Sequence, residues 1–200
     1  MRAIHNGDHC GDTYGRTGIK AKDGKLYVSA MFDCFDLAVL GLAMDTDMKA
    51  QLCVCTLRSA AAAHSVPGGV IVHSNRGFQY TRGAYRAAAE RYGIRQSTTS
   101  DGGRCRGSAR RESMWARMKS KRFYGRLDPE RLTVEGLKSL IWRYFMSYRN
   151  CRIRSPNGGL PPAVKHRRYF AALGTAAQAV NIFEFLCQLI LTKSQCQIEC

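Results

Sequence analysis

The sequence predicts a mixed α/β fold, with an antiparallel start and helices on the faces of the sheet. Three observations carry that expectation. KLYVSAMFD and FDLAVLGLAM are neighbouring apolar stretches parted by a short turn around residues 34–36, as two antiparallel strands require. Further on, short β-branched runs alternate with helical patterns, the order of a sheet flanked by helices. Finally, Leu137, Leu140, Ile141, Tyr144, Phe145 and Tyr148 fall at i, i+3, i+4, i+7, i+8 and i+11, one helical face suited to core packing.

Taken in order, residues 11–18 are expected to supply a first strand, and the two apolar stretches the next two, completing an antiparallel trio. Asp45, Thr46 and Asp47 offer N-cap oxygens for a helix running to about His64, which Pro67-Gly68-Gly69 ends. VIVHSNRGFQY then reads as a buried strand from Val70 to His73 that emerges into a polar apex. A helix from Thr81 to Tyr92 is closed by Gly93, and Ile94 to Thr98 forms a short strand. Residues 99–107 are a loop, Ser108 to about Tyr124 a strongly basic helix, and Asp128-Pro129 caps the helix that follows. No internal repeat is present. The chain divides into a weakly patterned start (1–24), a core (25–169) and a nearly uncharged, Cys- and Gln-rich tail (170–200) whose run from Ala176 to Leu191 reads as an amphipathic helix.

Composition narrows the partners. The 200 residues are 45% hydrophobic, enough for one packed domain. Their 31 Lys and Arg against 15 Asp and Glu leave a net charge of +16, which points to a polyanion, nucleic acid above all. Membrane association is disfavoured: the amino terminus lacks an apolar signal region, and Gln178, Asn181, Glu184 and Gln188 interrupt the late apolar run. The nine cysteines fit neither a disulfide framework nor zinc spacing, so they read as small hydrophobes in a reducing compartment.

Three positions can supply chemistry at the tips of such a sheet. Asp12 stands in GDTYG, Asn75 ends the Val70 strand, and Glu112 opens the basic helix in RRESMWARMK. Acids from two strands and a helix can hold a pair of divalent cations about 3.5–4 Å apart and activate a water. Asp33 and Asp36 are alternatives, each in a well-patterned stretch. Nine basic residues between Ser100 and Arg126 face only Asp101 and Glu112. The stretch from Arg143 to Arg168 has no acid at all.

The elements GKLYVSAMFDCFDLAVLGLAM, HSNRGFQYT, RYGIRQS, GGRCRGSARRESMWARMK and YRNCRIRSPNGGLPP resemble the catalytic core of bacterial insertion-sequence transposases. These share the retroviral-integrase DDE domain, and the resemblance covers residues 25–169. It implies an RNase H-like fold. Asp12, position 75 and Glu112 would be the catalytic triad, Asp12 and Glu112 ligating Mg²⁺ or Mn²⁺; the interval of 37 residues from 75 to 112 is close to the family's. The implied partner is DNA, held by Arg76, Arg104, Arg106, Arg110, Arg111, Arg117, Lys119 and Lys121, in multimers or in co-assembly with an intact transposase, in the bacterial cytoplasm at the nucleoid. The sequence departs from the pattern where it matters. Asn75 replaces the second acid, Phe78 a serine, and Gly107-Ser108-Ala109 the Asp-Asn-Ala before the glutamate, and the apolar residue between Asp and Thr-Tyr and the upstream Trp of the first motif are missing. Without a helix-turn-helix ahead of the core, the chain reads as a truncated copy with a tail foreign to it. The expectation is a transposase core impaired at Asn75; the alternative is a non-catalytic DNA-binding remnant that keeps the fold and basic surface.

Overall fold

The computed structural model describes residues 3–8, 18–63, 70–74, 78–98, 114–120, 123 and 128–172. Its strands are β1 (Ala3–Asp8), β2 (Ile19–Ala21), β3 (Gly24–Asp33), β4 (Val39–Asp45), β5 (Ile71–Ser74) and β6 (Arg95–Thr98). Its helices are α1 (Ala50–Ala63), α2 (Phe78–Thr81), α3 (Gly83–Arg91), α4 (114–120), α5 (Val134–Asn150) and α6 (Pro162–Ala172). β3 is the hub: β1, β2 and β4 all pair with it antiparallel. On the far side of β1 the sheet turns parallel, through β5 to β6. The expected antiparallel trio is therefore present as β1, β3 and β4. Its first strand is Ala3–Asp8, and the stretch 11–18 expected in that role lies, apart from Gly18, outside the described residues.

The period-2 pattern of β3 explains the layering. Leu26, Val28, Ala30 and Phe32 join one core with Met114, Trp115 and Met118 of α4 and Leu137, Ile141, Tyr144, Phe145 and Tyr148 of α5. Met31 points the other way, into a second core with Leu40, Val72, residues of α1 and Tyr85 of α3. Phe145 ties the first layer together, its ring 5.6 Å from Trp115 and 6.2 Å from Phe32. The second layer depends on Gly41, where a Cβ would sit 2.5 Å from the carbonyl oxygen of Thr56. That close approach lets α1 lie against β4.

Local chemistry sets the helix starts. Asp128 accepts a hydrogen bond from the Glu130 amide at 3.0 Å, yet it caps a 3₁₀ turn, Pro129–Arg131, rather than α5. The cap of α5 is Thr133, which accepts from Gly136 at 3.2 Å, while Asp23 accepts from the Val134 amide at 2.7 Å. That second bond pins the helix to the β2–β3 turn. Cys53 is buried and Cys151 exposed.

Candidate functional site

Two ends of the sheet carry polar chemistry. The first is where the parallel strands leave it. Ile4 of β1 is level with Val72 of β5, and His5 with His73, so the C-terminal ends of both strands reach the same edge. β1 ends at Asp8, paired with Ser29, and β5 ends at Ser74. Ser29 and Ser74 are fully buried, and neither hydroxyl has a hydrogen-bond partner among the described residues. Behind the edge, Gln79 and Tyr80 are buried, and Gln96 donates to the Tyr80 carbonyl at 2.8 Å, which fastens α2 to β6. Asn75 is bonded directly to Ser74, and Glu112 stands two residues ahead of α4. Asp12, Asn75, Glu112, Arg76, Arg104, Arg106, Arg110, Arg111 and Lys121 themselves lie outside the described residues. Of the expected cationic contacts, Arg117 is exposed on α4 and Lys119 half-buried.

Positive charge gathers where α4 meets the end of α5. Burial pushes the Tyr148 hydroxyl above its usual range, opposed by the guanidinium groups of Arg154, Arg152 and Arg117. Arg154 donates to the Tyr148 hydroxyl at 2.6 Å and lies 5.4 Å from its ring centre. Arg149 is held below its ordinary value by burial and by nearby Arg167, with Asp36 acting the other way. Arg149 of α5 and Arg167 of α6 thus act on one another, and residues 136–172 contain no acid. Such a surface suits a phosphate backbone.

The second polar end is the β3–β4 turn. Asp33 and Asp36 are fully buried there, and His166 of α6 closes on them. Each carboxylate is oriented by the turn itself. Oδ1 of Asp33 accepts from the Phe35 amide at 3.0 Å, and Oδ1 of Asp36 from the Ala38 amide at 2.7 Å. The remaining Oδ2 atoms both face Nδ1 of His166, at 2.7 Å for Asp36 and 3.7 Å for Asp33. Buried Asn157 donates to the Asp36 carbonyl at 2.9 Å. Outside, the Phe35 and Tyr169 rings lie 4.8 Å apart and the Lys165 ammonium 4.4 Å from the Phe35 ring centre. Leu37 takes a left-handed φ of 61° to complete the turn.

These ends are distinct. Asp33 pairs with Ile4, which is level with Val72, two residues before β5 ends. The chain beyond Asp33 then runs away from the edge where β5 exits. Strand spacing puts Asp33 about 12 Å from Ser74, with carboxylates committed to His166. Asp33 and Asp36 therefore sit at the end of the sheet opposite the one where β5 ends. His166 went unread in the sequence because it stands 130 residues from Asp36, in KHRRY, among ordinary surface cations.

Residues 4–103 match the family described as the integrase core domain. Over 147 residues the chain is 31% identical to "Transposase InsF for insertion sequence IS3A" of Escherichia coli (strain K12), an overlap of 73% of this chain and 50% of that protein. It is 29% identical over 146 residues to an "Uncharacterized transposase-like protein" of Haemophilus influenzae, 73% of this chain and 65% of that one. The chain spans about half the length of the InsF relatives it matches. Among solved structures it is similar to the HTLV-2 integrase catalytic core domain in complex with magnesium (dimeric form), with a TM-score of 0.57 and 14% identity over 82% of this chain and 94% of that one. The likeness is one of fold, and it fits the RNase H-like strand order described above.

Proposed function

The chain belongs to the integrase core domain family, and from that premise we propose that it is the catalytic-core portion of an insertion-sequence transposase, built for metal-dependent cleavage and strand transfer of DNA but impaired at Asn75. The observation that carries this reading is the parallel pairing of β1 with β5. It delivers both strand ends to one edge, and Asn75 follows the last residue of β5. Carboxylates gathered at such an edge are what phosphodiester chemistry with hard cations requires.

The donor set of Asp12, Asn75 and Glu112 has the oxygen chemistry that Mg²⁺ and Mn²⁺ prefer. It carries formal charge −2 where three carboxylates would carry −3, so it suits a metal pair poorly. When bound, such a pair supplies a polarised water and charge stabilisation at the leaving oxygen. The amide of Asn75 offers one neutral carbonyl oxygen in place of an anionic bidentate group. β1 ends in Asp8, and Asp12, the expected first acid, follows four residues on in the sequence.

The cations of α4 and of residues 149–168 hold the DNA backbone, largely without reading its sequence. Self-association or co-assembly with an intact transposase follows the same reading; a simian T-cell lymphotropic virus intasome is among the similar folds, at a TM-score of 0.53. No helix among the described residues is long and apolar enough to cross a membrane.

The test is strand transfer on pre-nicked transposon ends with Mg²⁺ or Mn²⁺. The Asn75→Asp variant should exceed the native chain by about 10²-fold or more, the scale of several kcal/mol of metal-borne stabilisation. Adding Asp12→Asn should remove the gain; removal by Asp8→Asn instead moves the first acid to the end of β1. The neutral amide at position 75 also favours a second reading, a DNA-binding remnant without catalysis. DNA binding with no cleavage by either the native chain or Asn75→Asp would establish that one.

A further inference from the structure

We propose that Asp33, Asp36 and His166 form a structural site for one divalent transition-metal ion, Zn²⁺ or Mn²⁺ in class, at the end of the sheet away from the proposed catalytic edge. The two carboxylate oxygens and the imidazole nitrogen lie within 4.8 Å of one another, and all three residues are buried. Their orientation is that of prepared ligands. Backbone amides at 3.0 and 2.7 Å occupy Oδ1 of each aspartate, which leaves both Oδ2 atoms converging on Nδ1 of His166. Outer hydrogen bonds of this kind fix the carboxylates of metal centres.

Charge argues the same way. Two fully buried carboxylates need compensation, because a buried charge is tolerated only when paired or bound to a metal. His166 sets its imidazole against both of them. Arg149 is near enough to act on Asp36. A divalent ion neutralises both aspartates and takes His166 as a neutral ligand. Two oxygens and one imidazole suit Zn²⁺ or Mn²⁺ better than Mg²⁺, which prefers oxygen alone. The ion would fasten α6 to the β3–β4 turn, joining residues 130 apart in the chain.

The experiment uses the full chain, stripped with chelator and titrated with ZnCl₂ or MnCl₂, followed by calorimetry, elemental analysis and thermal melting. The expected result is one equivalent bound and a rise in Tm of about 5–10 °C at a hundredfold excess over Kd. His166→Gln and Asp33→Asn should each lose that equivalent and the rise, whereas Asp128→Asn, an exposed control in neither site, should keep both. Two variants guard against one failing to fold. No stoichiometric uptake by the native chain, or uptake unchanged in His166→Gln, would overturn the proposal and leave a hydrogen-bonded clamp. None of these readouts depends on strand transfer, so the result stands apart from the catalytic reading.

Discussion

The two polar ends of this sheet solve opposite problems. At the β3–β4 turn, Asp33 and Asp36 have backbone donors on one oxygen and His166 on the other, and Asn157 closes the turn from outside. At the edge where β1 and β5 exit, Ser29 and Ser74 are just as buried, yet their hydroxyls have no partner among the described residues. Buried polar groups that are satisfied stabilise a fold, and those left open cost free energy without returning any. The first end holds the molecule together. The second is the kind of place where folds keep groups in reserve for chemistry.

Substitutions sharpen that contrast. The largest effect is expected from Asp36→Ala, which strips His166 of its nearest carboxylate and Ala38 of its acceptor. Loss of one partner from a buried charged pair costs about 3–5 kcal/mol, read as a lower urea midpoint. Asn157→Ala should cost less, about 1–3 kcal/mol in the same assay, because it leaves one buried carbonyl without its donor. Ser74→Ala is expected to change stability by under about 0.5 kcal/mol, or to raise it slightly, since the hydroxyl it removes has nothing to lose. A Ser74→Ala loss as large as that of Asp36→Ala would erase the distinction between the ends.

Much of the fold was legible because it rests on local pattern. Alternation in β3 assigns Leu26, Val28, Ala30 and Phe32 to one layer and Met31 to the other. The helical face from Leu137 to Tyr148 is buried as its spacing requires, with Leu140 only partly covered. The strand Ala3–Asp8 went unread, because it carries the polar sequence AIHNGD and is a strand through pairing with β3 and β5. Helix α6 was also missed: it follows Pro161-Pro162 and has no clear apolar stripe, and it is held by His166 and Tyr169 against the β3–β4 turn. At the proposed active site, the motif around Asn75 is an expectation from residue order, and the described residues add the parallel β1–β5 pairing that precedes it in the chain.

By itself the sequence determined the charge, the strand and helix periods, and the element HSNRGFQY that marks the family. Those are properties of composition and near neighbours along the chain. Tertiary structure alone decided that Asp33 and Asp36 lie at the end of the sheet away from the end of β5 and turn toward a histidine, 130 residues from Asp36. Register between strands is a long-range property, and no local pattern encodes which side of a sheet a distant helix will close.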